Sequence, residues 1–387
     1  MECNRRQFLR AGAVFAAGCV MAGGAESLLF NYPSAALASS AGNSAVTREA
    51  MFYEKLPGGI AHCTLCPCSP LDENCGFLKD GEMCVCNVRF NRGGKLYVTN
   101  YGKPSTIQKD PIEKNPIYHM TPGKDYLALA TAGCNLDCVC CQNWEMSQKR
   151  VEQIKCFSLK PGEVIKKAKE HRCRGISYTY TEPVIFYEYM LDTAKAACGE
   201  NMRNTMVTGG YILSEPLKLL TKYVQGFSVS VKGFTEEFYR THCRGKLSTV
   251  LNALKVLREK NAWVEIVVLV IPTLSDRMSE IEWFCQWVKD NMGVMTPVHF
   301  TRFWPSYKLR NIPQTPVATL EKAYATARAK GLKYVYLGNL PGHEKENTFC
   351  HNCGRILIQR IGMKLRKNNV ADGKCPSCRT AIPGLWT

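Results

Sequence analysis

At 387 residues, 45% of them hydrophobic, the chain can bury one large core with smaller attachments, and so reads as globular. A net charge of +17 attracts anions but selects no partner, and no apolar run reaches the roughly 18 to 20 residues that cross a bilayer as a helix, which excludes an integral membrane protein. Twenty-one cysteines exceed what packing needs; their tight C-x-x-C spacings disfavour loop-stapling disulfides and favour metal.

Residues 1–45 open with Asn4-Arg5-Arg6-Gln7-Phe8-Leu9-Arg10, continue through an Ala/Gly/Val/Phe-rich stretch, and reach the small-residue triplet Ala36-Leu37-Ala38. This pattern predicts a twin-arginine export leader with a small-residue cleavage site; the alternative is a basic, apolar tail. Three Arg and two Glu lie within it, so its removal takes the formal charge from +17 only to +16. Residues 46–120 are a cysteine-rich flank without strand-helix rhythm. Cys63-x2-Cys66 leads to Cys75 and Cys86 as a second metal site, while Cys68 and Cys84 leave the choice of ligands open.

From residue 121 to 339, strand-like runs at 126–131, 176–181, 204–207, 227–231, 263–271, 298–303 and 333–336 alternate with helical patterns. One helix opens at Pro161 and stops before Gly175, and another covers 318–330 before Gly331. Seven units over about 210 residues predict an α/β fold, a partial or full TIM-like (βα) barrel with an open doubly wound sheet as the alternative, and in either case chemistry at the carboxyl ends of the strands.

Residues 340–387 carry Cys350-x2-Cys353 and Cys375-x2-Cys378, 21 residues apart, with Gly354 and Pro376 at the turns. This zinc-ribbon spacing predicts four thiolates on one ion, zinc or iron, holding a core-poor module together. Seven Lys/Arg against one Asp at 350–387 lack the aromatic interleaving of a nucleic-acid surface, and none is expected.

Directly after the first strand stands Gly133-Cys134-Asn135-Leu136-Asp137-Cys138-Val139-Cys140-Cys141-Gln142-Asn143-Trp144, a Cys-x3-Cys-x2-Cys pattern. Three thiolates on a 4Fe-4S cube leave one iron open, and that iron can chelate the amino and carboxylate groups of S-adenosylmethionine (SAM). An electron delivered through the cube then cleaves the sulfonium to a 5′-deoxyadenosyl radical. A structural zinc knuckle would want a fourth nearby ligand; Cys140 offers one, but adjacent Cys140 and Cys141 ligate one ion poorly. Cys156, Cys173, Cys198, Cys243 and Cys285 read as packing cysteines.

Here the sequence resembles the radical SAM superfamily, and within it the AmmeMemoRadiSam-system enzymes, close to pyruvate formate-lyase activating enzymes. The strings that carry the resemblance are Asp110-Pro111-Ile112-Glu113-Lys114 with Tyr118-His119, Cys141-Gln142-Asn143-Trp144-Glu145, and Tyr178-Thr179-Tyr180-Thr181-Glu182-Pro183. Further matches are Lys232-Gly233-Phe234, Leu269-Val270-Ile271-Pro272, His299-Phe300-Thr301-Arg302-Phe303, and Gly338-Asn339-Leu340-Pro341-Gly342-His343. Departures are Cys140 where relatives carry an aromatic residue, Thr208 for Asn, Ser230 for Asp and Ser275 for Asn.

The resemblance implies that Cys134, Cys138 and Cys141 hold the cluster and that Asn143, Thr181, Glu182, Ser230 and Lys232 bind SAM, Glu182 at its ammonium and Lys232 at its carboxylate or ribose. His299 and Arg302 are candidates to meet substrate; the alternative is a hydrogen-bonded core His beside a surface Arg. The expected function is reductive SAM cleavage and hydrogen abstraction from a protein or small molecule. It needs an external electron donor and implies Memo-like and AMMECR-domain partners. An exported iron-sulfur or zinc protein without SAM chemistry is the alternative, and a cytoplasmic location is the alternative to a periplasmic one.

Overall fold

Near-continuous apolar strands buried on both faces fit a parallel sheet, whose faces must both be covered, by helices outside and, in a barrel, by side chains from the other strands inside. The computed structural model describes residues 48–67, 69, 71 and 75–387, so the expected leader and Cys68 lie outside the described residues. Its main sheet has eight strands: β1 Thr106–Pro111, β2 Asp125–Ala130, β3 Gly175–Tyr178, β4 Arg203–Thr208, β5 Gly226–Val231, β6 Trp263–Val270, β7 Val298–Arg302 and β8 Val335–Gly338. Neighbours in the sheet are neighbours in sequence, β2 to β8 run parallel, and β1 pairs antiparallel with β2. A doubly wound sheet would reverse its order at a switch point, and this one does not.

The connecting helices are α1 Pro161–Glu170, α2 Tyr187–Gly199, α3 Ser214–Leu220, α4 Leu247–Glu259, α5 Met278–Asn291 and α6 Val317–Ala329. Helix α1 starts with Pro at its first turn and a Glu163 side chain accepting from the Lys160 amide, and it stops where Arg172 turns left-handed. All seven predicted strands are present within a few residues. The second ends early, at Tyr178, because Tyr180 at φ 65° bends the chain into the next loop. β1 falls inside the flank expected to lack this rhythm, yet it pairs along the whole of β2.

The sheet curls. Laid flat, β2 and β7 would stand about 24 Å apart, five spacings of about 4.8 Å. Yet the loop after β7 touches the loop after β2: the Lys308 amide donates to Val139 O at 3.1 Å and Ser306 Oγ to Cys141 O at 3.2 Å. β1 and β8 remain as the two edges, making a partial barrel.

Its floor is closed by residues 118–120. The amides of Tyr118 and His119 donate to Glu265 on β6 at 2.8–2.9 Å, while Met120 lies so close under β5 that a Cβ on Gly226 would meet its sulfur at 2.5 Å. The three-stranded C-terminal sheet of Thr348–Phe349, Ile356–Ile361 and Lys364–Asn368 packs there too. Buried Arg360 anchors it, donating to Tyr118 O at 2.9 Å with its guanidinium 4.0 Å from the Tyr118 ring centre.

Candidate active site

The carboxyl ends of the strands carry the predicted site. Four residues past β2, the loop 134–141 is fixed from both sides: Asp137 and Val139 amides donate to Cys243 O at 3.0 Å and His242 O at 2.9 Å, and Lys308 and Arg244 pair with Asp137 at 3.1 and 3.5 Å. Hydrogen bonds on this backbone hold the thiols in place before any metal arrives. Burial lifts the Cys134 thiol well above its ordinary range, and the Glu182 carboxylate adds to it. Cys141 is lifted by burial and partly relieved by Ser147, whose Oγ lies 3.3 Å from its sulfur.

Cys138 is held below the usual thiol range by a hydrogen bond from Cys243, which the same bond raises. Cys243, expected to pack, is fully buried and also meets the Cys138 thiol. It sits at the end of a π-helical turn, Tyr239–Cys243, whose extra residue brings its sulfur to the loop. No spacing in the sequence announces such a turn. Cys140 is buried, and burial followed by the Cys138 charge pushes it up to about 12.

Lys232, one residue past β5, faces this group of thiols. Burial opposes its charge, but Cys138, Cys140, Cys243 and Cys141 together raise its affinity for the proton. Glu182 is buried and accepts from Thr208 Oγ1 at 2.6 Å, Gly209 N at 2.7 Å and Val184 N at 3.2 Å. It thus caps the turn Pro183–Phe186 and ties the end of β3 to the end of β4. Burial holds its pKa above the ordinary carboxyl range, and these bonds offset only part of the rise. A Cβ on Gly209 would lie 3.3 Å from the Glu182 oxygen, so only glycine admits this contact without displacement.

Asn143 Nδ2 donates to Tyr180 O at 2.7 Å, and Thr181 Oγ1 to Thr131 O at 2.8 Å, so both brace the rim formed by the ends of β2 and β3. Ser230 is half-buried at the end of β5 beside Lys232. Ser275 caps β6, accepting from Ile271 N and donating to Leu269 O, both at 3.0 Å.

The structure separates His299 from Arg302. His299, near the amino end of β7, is buried and bonded to Glu265 Oε2 at 2.7 Å, in the floor and not at the mouth. Arg302 closes β7 at the carboxyl end, with Nε donating to Thr315 O at 2.7 Å and its guanidinium over the exposed Trp304.

Both flanking cysteine sets gather. The thiols of Cys350, Cys353, Cys375 and Cys378 lie within 4.8 Å of one another, with Cys350 to Cys378 at 3.6 Å and Cys353 to Cys375 at 3.7 Å. A tetrahedral ion with metal–sulfur bonds of about 2.3 Å requires sulfurs about 3.8 Å apart, so the quartet fits one zinc or iron. Hydrogen bonds from the Thr380 side chain and amide pull Cys378 down to about 5, favouring the thiolate that binds metal. At the other end Cys63, Cys66, Cys75 and Cys86 line one cavity, and Cys84, left unassigned by spacing, joins them.

A sequentially wound parallel sheet with three thiols, a lysine and a carboxylate at its carboxyl edge defines the class of radical SAM enzymes. Residues 129–285 match the Radical SAM superfamily, and the chain belongs to it. It is 42% identical over 337 residues to an uncharacterized protein of Methanocaldococcus jannaschii, covering 87% of this chain and 98% of that protein. A second uncharacterized protein of the same organism is 23% identical over 218 residues, 53% of this chain and 62% of that protein. Among solved structures, a radical SAM methyltransferase from Sphaerobacter thermophilus aligns at TM-score 0.43 and 16% identity, covering 55% of this chain and 67% of that one. A domain of pyruvate-formate lyase-activating enzyme from Bacteroides vulgatus aligns at TM-score 0.38 and 12% identity, covering 43% and 99%. The protein is an enzyme that uses a 4Fe-4S cluster to cleave SAM reductively.

Proposed function

We propose that Cys134, Cys138 and Cys141 hold the catalytic 4Fe-4S cluster and that SAM lies against Asn143, Thr181, Glu182, Ser230 and Lys232. What carries this reading is the convergence at one carboxyl edge of a rigid three-thiol loop, a half-buried lysine facing it and a buried carboxylate beside it. When bound, the cluster supplies one electron at low potential to the SAM sulfonium. Lys232 balances the negative charge of the thiolates and is placed to pair with a carboxylate. Glu182 holds Gly209 and Thr208 in the wall and orients the backbone that receives an ammonium group. Ser306 and Lys308 latch the loop after β7 over the site, limiting the water that reaches a reactive intermediate.

The finer reading is an AmmeMemoRadiSam-system enzyme with an activating-enzyme-like role, an external electron donor, and Memo-like and AMMECR-domain partners. The strings from Asp110 to His343 support it. The cysteine-rich flank 46–120, the core 121–339 and the module 340–387 are its working parts, the last holding one zinc or iron. The segment 1–45 supports twin-arginine export to the periplasm. Cell fractionation and sequencing of the mature amino terminus test this, an intact Met1 counting against cleavage.

Anaerobically reconstituted protein given dithionite and SAM forms 5′-deoxyadenosine, and Cys138→Ala forms none above background. Equal product from both ends this reading.

A further inference from the structure

The cavity in the amino-terminal flank differs from the C-terminal quartet in the property that decides nuclearity. Among the described residues, the quartet is the one group whose ligand atoms all lie within 4.8 Å, the span of a single ion. Cys63, Cys66, Cys75, Cys84 and Cys86 instead surround a cavity, more thiols than one tetrahedral ion takes and set wider than one ion spans. The catalytic trio shares that wider setting.

The place of this cavity is equally specific. Its inner wall includes Asn135, the residue after Cys134, and the carbonyl of Cys86 lies so near the same loop that a Cβ on Gly133 would meet it at 2.5 Å. Its outer wall includes Val85, which is 53% exposed. Beneath it, buried Arg89 points Nη1 at Cys63 Sγ, 3.7 Å away, and is neutralised by Glu188 at 2.6 Å. A hydrogen-bonded cation beside a thiolate is a means of setting the potential of an iron-sulfur cluster.

We propose that these cysteines hold a second, polynuclear iron-sulfur cluster that relays electrons from the protein surface to the catalytic cluster. The proposal rests on the catalytic reading above only for the electron's destination. One electron leaves a reduced flavin- or iron-sulfur-containing donor protein docked at the Val85 face, reduces the relay cluster, and passes across the Asn135 wall to the catalytic one; no atom or proton is transferred. Arg89 is a positioning residue, acting through the Cys63 sulfur.

Reconstituted full-length protein shows two reducible clusters by electron paramagnetic resonance, and SAM changes the signal of only one. The C134A/C138A/C141A variant keeps iron, labile sulfide and the SAM-insensitive signal, and adding Cys66→Ser removes most of them. Zinc in place of iron, or no labile sulfide in the triple variant, overturns the second cluster. In the otherwise native chain, Cys66→Ser lowers the ratio of 5′-deoxyadenosine formed with reduced flavodoxin to that formed with dithionite by roughly tenfold or more. Equal falls with both reductants, or no fall with either, overturn the relay. Wild-type protein that makes no 5′-deoxyadenosine while the triple variant keeps its cluster sinks the catalytic reading alone.

Discussion

Gly209 shows how much of the site depends on a missing methyl group. Alanine there would put a Cβ 3.1 Å from Leu136 and 3.3 Å from Glu182, tight enough that both must shift by a few tenths of an ångström and strain the bond from the Gly209 amide. Disturbing hydrogen bonds to a buried charge costs about 1–3 kcal/mol. Gly209→Ala is therefore expected to lower the melting temperature and to weaken SAM binding about tenfold, measured by equilibrium dialysis of reconstituted protein. Glu265 in the floor is the clearest pH-sensitive group. Against burial, His299, His119 and the Tyr118 amide hold its carboxyl at about 2 instead of 4.5. Between those values the unfolded chain binds the proton first, so a contribution of about 3 kcal/mol, present above pH 4.5, is lost as pH falls toward 2. Burial likewise holds His119 down to about 4, so its share is lost as pH falls from 6.5 toward 4. Urea titrations should show Glu265→Gln less stable than wild type by about 3 kcal/mol at pH 7, the gap closing toward pH 3. An unchanged gap would assign the loss to packing instead.

At the scale of elements, the C-terminal sheet has a small core, Leu357, Ile358 and Ile382 against Tyr334 and Tyr336, and its two Cys-x2-Cys turns are closed by Gly354 and Arg379 in left-handed conformations. If the Cys350, Cys353, Cys375 and Cys378 quartet holds a metal as proposed, its chelation, or Cys375→Ser, is expected to expose the amides of Ile356–Ile361 to hydrogen exchange while β3 to β5 stay protected. Simultaneous loss throughout would mean that the module and barrel unfold as one. The strands of this fold were legible because buried parallel strands read as short apolar runs between helical periods, as 126–131 and 263–271 do. The three-thiol loop was legible through its spacing. The partners of the loop were not. Cys243 reaches Cys138 through a π-helical turn, and Arg89 reaches Cys63 from a strand 26 residues away, and neither contact leaves a local pattern. His299 carried a chemistry-bearing name but sits second in its strand, which puts it in the floor; direction along the strand outweighs residue type.

At the scale of the whole molecule, the floor joins segments far apart in sequence. His119 Nδ1 meets Pro383 O at 2.7 Å across 264 residues, Leu385 forms backbone bonds with His119 and Thr121, and Arg203 donates to Thr387 O at 2.8 Å. Contacts of such span form late, because loop closure must precede their gain. A ribosome-bound chain can therefore assemble its upper rim, with Cys134, Cys138 and Cys141, before these base contacts form. Until residues 383–387 leave the exit tunnel, His119, Thr121 and Arg203 lack these partners, and the base that residues 118–120 form is a vessel not yet corked.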